Sequence, residues 1–226
     1  LSFSGLLGMT IFMHIPMTGI KHPTEGPILR QPFLLALPIM GPSFIQMAYS
    51  LTDMAWVGRL GSEAIAAVGS VGLLTWMTTS ISLLNKVGSE VSVGQAIGMR
   101  DEVAARGFAT HNLTLSLMIS LVWASILFLF SVPIVEFYEL ESHIAHNAVN
   151  YLRIVSTAFP FVFMSAAATG IFNASGRSKI PFTINGLGLL INMVLDPLFI
   201  FVFDWKTDGA ALATWIAQAC VFSLFV

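Results

Sequence analysis

The sequence predicts an all-α, polytopic membrane protein with six transmembrane helices. Three observations carry that prediction. The 226 residues are 56% hydrophobic and only 10% charged, where a soluble domain carries about 25% charge. Mean hydropathy is +0.83. The charges also fall in short clusters, apart from Asp53 and Asp196, which are embedded in apolar sequence. Stretches 31–52, 64–85, 107–135, 154–176 and 209–226 hold no Lys, Arg, Asp or Glu, and stretch 180–203 holds only Asp196. A spanning helix needs about 20 mostly apolar residues, so these are six spans.

The chain begins at Leu1 with a stretch that lacks the basic start of a signal peptide. Met13 or Met17 is a candidate native start, and residues 1–27 read as a cytoplasmic segment. Residues 28–226 form the transmembrane unit. It is cut in or at the end of the sixth helix, because Val226 interrupts an apolar run. The chain therefore reads as a fragment.

Span one contains Pro38 and the pair Gly41-Pro42. A proline inside a helix frees a carbonyl and bends the axis, so Pro38 is either a static kink or a hinge. Beyond span two lie Lys86 and Glu90, four residues apart. They form either an intramembrane ion pair or, the favoured reading, a helix extension at the interface with Lys86 snorkelling.

Connector charges set the orientation. Lys21, Arg30, Arg100, Arg106, Arg177 and Lys179 fall on one side, whereas the other has Arg59, Arg153 and Lys206 among six acidic residues. The positive-inside rule then puts the N-terminus in the cytoplasm and runs odd-numbered spans outward. In the outer connector before span four, His143 and His146 lie beside three glutamates and read as a solvated loop rather than a metal site. No HExxH or related spacing occurs among the five histidines. The single cysteine, Cys220, excludes an internal disulfide and a CxxC site. A net charge of −2 with no basic face argues against a nucleic-acid partner.

The intramembrane polar residues carry the functional signal. Asp53 lies six residues before Arg59, about 9 Å of helix rise, and Asp196 eight residues before Asp204, about 12 Å. Thr214 lies five residues into span six, about 8 Å. Asn192 is one turn from Asp196 on the same helical face. These four side chains from three helices fall in one layer. A charged residue at mid-bilayer costs at least about 2.5–3.5 kcal/mol, so two carboxylates with no basic partner cannot both be charged and dry. Either the pair is hydrated, or a proton or a cation such as Na⁺ neutralises it. The alternative is that both cap helix ends or face an aqueous vestibule.

Certain segments resemble a known family. Pro38 is followed by Asp53 in Thr-Asp-Met-Ala-Trp-Val-Gly-Arg-Leu-Gly (52–61) and by Ala-Ile-Ala-Ala-Val-Gly (64–69). Gly-Gln-Ala-Ile-Gly (94–98), Asn-Met-Val-Leu-Asp-Pro (192–197) and Gly-Ala-Ala-Leu-Ala-Thr (209–214) follow in order. From about residue 28 to 226 the chain is similar to the first half of multidrug and toxic compound extrusion (MATE) transporters, in particular their DinF-like branch. The resemblance implies one six-helix lobe of a twelve-helix transporter. It implies a cation site at Asp53, Asn192, Asp196 and Thr214, a bending proline at Pro38, and a multi-pass protein of the plasma or inner membrane. The extra Gly41-Pro42 and Lys86 depart from the family pattern.

The expected function is then an antiporter, not an enzyme. H⁺ or Na⁺ enters while an amphipathic, often cationic organic compound leaves by alternating access. No cofactor is expected beyond the coupling ion. The expected partners are the organic substrate, membrane lipid and the missing C-terminal lobe. A lipid-linked-precursor flippase of the same superfamily would need a basic cavity, and no spanning Lys/Arg cluster exists. An intramembrane enzyme would need a nucleophile–base pair or a metal-ligand set, which the spans lack. A non-transporting scaffold would leave the acidic layer unexplained.

Overall fold

In the computed structural model the described residues are 44, 45 and 47–226. Pro38, Gly41-Pro42, the 1–27 segment and most of the first expected span lie outside them. The described end of the first span is helix α1, residues 47–58. It is followed by α2 (Ser62–Gly98), α3 (Glu102–Leu129), α4 (Ser131–Glu136), α5 (Ser142–Ala174), α6 (Lys179–Pro197), a π-helical turn (Leu198–Val202) and α7 (Lys206–Phe225). Among the described residues no strand is present. Among the described residues five helical segments are long and apolar enough to cross a membrane, α6 being counted together with its π turn.

Local chemistry explains the breaks. Gly61 adopts φ 106° between α1 and α2, a conformation that costs glycine little. Span three is not one helix: α3 ends at Leu129 and α4 restarts at Ser131. Pro133 has no N–H to offer the Leu129 carbonyl, so the i→i−4 ladder stops there. Pro197 likewise leaves the Met193 carbonyl without its usual donor, and the helix widens into the π turn directly afterwards. The histidines of the expected loop are helical instead. α5 begins at Ser142, so His143 and His146 occupy its first two turns. That polar opening carries no apolar periodicity by which a helix start could be read.

α5 is the central helix. It packs against α2, α3 and α7, and its apolar stretch is 67% buried, against 22% for α2 and for α3. Small residues allow the close approaches, as in membrane bundles generally. A Cβ at Gly170 of α5 would collide with the Lys86 carbonyl oxygen of α2. Hydrogen bonds join α2 to α3: Trp123 Nε1 donates to Thr78 Oγ1 at 2.8 Å, Asn112 Nδ2 to Ser92 Oγ at 2.8 Å, and Asn85 Nδ2 to Ser116 Oγ. Large apolar side chains such as Trp76, Leu84 and Leu129 face outward, as lipid contact requires.

Lys86 and Glu90 sit on one continuous α2, which runs on to Gly98. Lys86 Nζ lies 3.8 Å from Glu90 Oε1, and that oxygen also accepts from Asn173 Nδ2 of α5 at 2.7 Å. Glu90 therefore ties α2 to α5, on the helix extension that the sequence predicts.

Gly209 sets the seat of α7. A Cβ there would lie 2.8 Å from both the carbonyl carbon and the oxygen of Phe199, and 3.1 Å from Ile200 N. All three are backbone atoms, which cannot rotate away. Gly209→Ala should therefore destabilise the protein by about 1–3 kcal/mol, the usual cost of overpacking. Thermal unfolding in detergent should fall by several degrees, whereas Gly98→Ala, which meets open space, should leave it unchanged.

Candidate functional site

Four helices converge on one polar cluster near the end of the bundle where α1 finishes and α7 begins. α1 contributes Tyr49 and Asp53, four residues apart and so on one face. α6 contributes Asn192 and Asp196, again four apart, with Asp196 in the last turn before Pro197 and the π turn. α7 contributes Thr214 and Gln218 at the same spacing, and α5 contributes Tyr151. α1, α6 and α7 thus each present two of these polar side chains one helical turn apart, on one face.

Asn192 and Asp196 are fully buried at 0% exposure. Asn192 Nδ2 donates to Asp196 Oδ1 at 3.1 Å. This bond uses one carboxylate oxygen and leaves Asp196 Oδ2 and Asn192 Oδ1 buried with no hydrogen-bond partner. Asp53 is half-buried as a residue, yet its Oδ1 is buried and equally without a partner. Thr214 Oγ1 and Tyr49 Oη are in the same condition. The Tyr49 hydroxyl lies beside Thr214 and Gln218 without reaching a well-formed hydrogen bond. Asp53 and Asp196 are close enough to repel each other, and Tyr49 and the buried Tyr151 feel both carboxylates.

Five buried oxygen atoms from three helices therefore lack partners in one place. Native structures leave few such atoms, each costing about 1–3 kcal/mol. Among the described residues no Lys, Arg or His forms an ion pair with either aspartate. The chemistry that satisfies this set is a small positive charge: oxygen atoms of carboxylate, amide and hydroxyl type are what a hard cation or a proton accepts. No group of three or more His, Cys, Asp or Glu suited to a metal ion occurs among the described residues. The cluster instead gathers two carboxylates with amide and hydroxyl oxygens.

All four residues marked in the sequence, Asp53, Asn192, Asp196 and Thr214, are brought together. Pro38 lies outside the described residues. Tyr49, Tyr151 and Gln218 were not singled out in the sequence. Tyr49 carried a readable signal, its position four residues before Asp53. Tyr151 carried none, since nothing in its own span points to the aspartates of two others.

Residues 38–198 match the family model described as MatE. The protein named "Probable multidrug resistance protein YoeA" of Bacillus subtilis is 30% identical over 200 residues, covering 86% of this chain and 43% of that protein. A crystal structure of a MATE in complex with MaD3S superimposes with a TM-score of 0.81 at 27% identity, covering 86% of this chain and 44% of that one. A crystal structure of a MATE in the bent conformation gives a TM-score of 0.79 at 28% identity, covering 85% and 43%. The chain spans less than half the length of these similar proteins.

Proposed function

The chain belongs to the MatE family, and from that premise we propose that it is the N-terminal lobe of a cation-coupled multidrug exporter of the plasma or inner membrane. Relatives carry the name probable multidrug resistance protein and the chain matches the MatE model, so the reading is of a transporter, not an enzyme. Asp53, Asn192, Asp196 and Thr214 hold the coupling ion, H⁺ or Na⁺. An amphipathic, often cationic organic compound moves the opposite way. Residues 28–226 form the lobe, with the N-terminus in the cytoplasm and Pro38 as the hinge of the first span.

The observation that carries the proposal is the set of five buried, unpartnered oxygens around two carboxylates with no basic neighbour. With the site empty, repulsion between Asp53 and Asp196 favours a hydrated, separated arrangement of α1 and α6. With a proton or Na⁺ bound, the repulsion is removed and the oxygens gain a partner, so the helices close. That difference in interaction between the two states is what a coupled conformational change requires. Two lobes rocking about a central cavity turn it into alternating access.

The test is dye export by the full-length protein in proteoliposomes, with H⁺ and Na⁺ gradients imposed separately. Export should follow at least one gradient and stop when that gradient is collapsed. Export indifferent to both would contradict cation coupling.

A further inference from the structure

One arginine sits where α5 passes from its charged opening turns into lipid-spanning sequence. Arg153 lies eleven residues after Ser142, about 16 Å of rise, and is the last charge before the uncharged stretch 154–176. A basic side chain at that boundary stands level with lipid head groups. Two contacts aim it. Arg153 Nε donates to Ser131 Oγ at 2.9 Å, and its Cζ lies over the Phe128 ring, 5.9 Å from the centroid. Ser131 is fully buried at the start of α4, and Phe128 belongs to the last turn of α3. The guanidinium is therefore held from both sides of the break between α3 and α4.

These contacts leave most of the fork unused. An arginine carries five N–H donors and is always charged, and Ser131 takes one of them. Among the described residues the Nη groups have no hydrogen-bond partner, and no carboxylate lies within ion-pair distance. Acids are not scarce at this end of the bundle. Glu63 and Glu141 lie against His143 instead, and Glu136 and Glu139 form no ion pair among the described residues. Arg153 is half-buried, yet none of its nitrogens is buried without a partner, so the free edge of the fork opens to the surface. A charge partly withdrawn from water wants a counter-charge, and here the chain supplies none.

The surroundings of that edge are apolar. Phe128, Leu129, Phe130 and Val132, from the end of α3 through the break to the start of α4, are all exposed. A ligand suited to this place carries an anionic oxygen pair for the guanidinium and hydrocarbon for these side chains. Arginine pairs with phosphate through two parallel hydrogen bonds. In a bilayer the molecule that joins phosphate to hydrocarbon is a phospholipid, and basic groups between spanning helices hold its head group. Arg59 makes a useful contrast. It stacks over Trp56 at 5.1 Å, but it is exposed and no side-chain hydrogen bond aims it.

We propose that Arg153, aimed by Ser131 and Phe128, binds the phosphate of a membrane phospholipid whose acyl chains lie along Leu129, Phe130 and Val132. The lipid then bridges α5 and the α3–α4 break. This site requires that the chain span a bilayer and is independent of the acid cluster.

The test is a titration of purified, delipidated full-length protein with phosphatidylglycerol, bound lipid being counted by native mass spectrometry. The wild type should hold one lipid more tightly than the rest. Arg153→Gln should weaken that tightest site by about tenfold or more, because it removes a charge-assisted pair. Ser131→Ala keeps the charge but not its aim and should weaken it by about two- to fivefold. Arg59→Gln and Asp53→Asn should leave it unchanged, which separates this site from the surface and from the coupling cluster. Diacylglycerol, which has the chains without the phosphate, should not compete, nor should inorganic phosphate in large excess. An unchanged tightest site in Arg153→Gln or in Ser131→Ala, with the variant folded by circular dichroism, would overturn the proposal. Equal competition by diacylglycerol would overturn it in favour of an apolar contact, and displacement by inorganic phosphate in favour of a free-anion site.

Discussion

Asp53→Asn and Asp196→Asn, each introduced into the full-length protein, should abolish cation-coupled export while leaving expression and insertion intact. Asparagine keeps the shape of aspartate but can neither release a proton nor offer a charged oxygen. Insertion should not suffer, because a carboxylate in the bilayer costs at least about 2.5–3.5 kcal/mol and the amide costs less. Coupling should be lost because the repulsion between the two carboxylates is gone in every state, so the ion no longer has anything to switch. The two substitutions should not be additive, since either one alone removes the same pairwise interaction. Thr214→Ala removes one neutral oxygen among several, a change worth about 0.5–1.5 kcal/mol, so export should fall by roughly two- to tenfold. Tyr49→Phe should act similarly, as it deletes a hydroxyl that lacks a good partner. The measurement is initial export rate against the driving gradient. Normal rates with unchanged H⁺ and Na⁺ dependence in both Asn variants would make the acid cluster structural.

The lobe alone should not transport. Alternating access needs two bodies that rock against each other, and the described residues form one bundle organised around α5. Relatives such as the Bacillus subtilis protein are more than twice as long as the matched region. Residues 1–226 expressed by themselves should insert into the membrane yet give no cation-driven dye export above empty vesicles. Co-expression with the remaining half of a full-length relative is the matched control and should restore a measurable rate. Coupled export by the lobe alone would contradict the two-lobe account, and a cross-linked homodimer in those vesicles would identify the replacement.

The spanning segments were readable because charge inside lipid is expensive, so long uncharged runs leave little choice of interpretation. The acid layer was readable for the same reason: Asp53 and Asp196 stand out in sequence only because their surroundings are apolar. What the sequence concealed lies where that contrast fades. Tyr49 and Tyr151 are amphipathic, and tyrosines are ordinary in spans, so composition did not separate them from packing residues. The break between α3 and α4 depends on one missing N–H at Pro133, which an uncharged run masks. The π turn after Pro197 has the same origin, and it leaves Asp196 at the very end of the regular ladder. The helical start at Ser142 was hidden by its own polarity. His143 and His146 read as loop because Glu63, which lies 3.2 Å from His143, comes from a distant part of the chain.

The most direct test of the central claim is ion binding itself, measured as protons or Na⁺ taken up by purified full-length protein without substrate. The wild type should bind one of these ions stoichiometrically, with the other competing. The Asp53→Asn, Asp196→Asn double variant should bind neither above background while remaining folded by circular dichroism. Undiminished, competitive ion binding in that double variant would place the coupling site elsewhere and contradict the account.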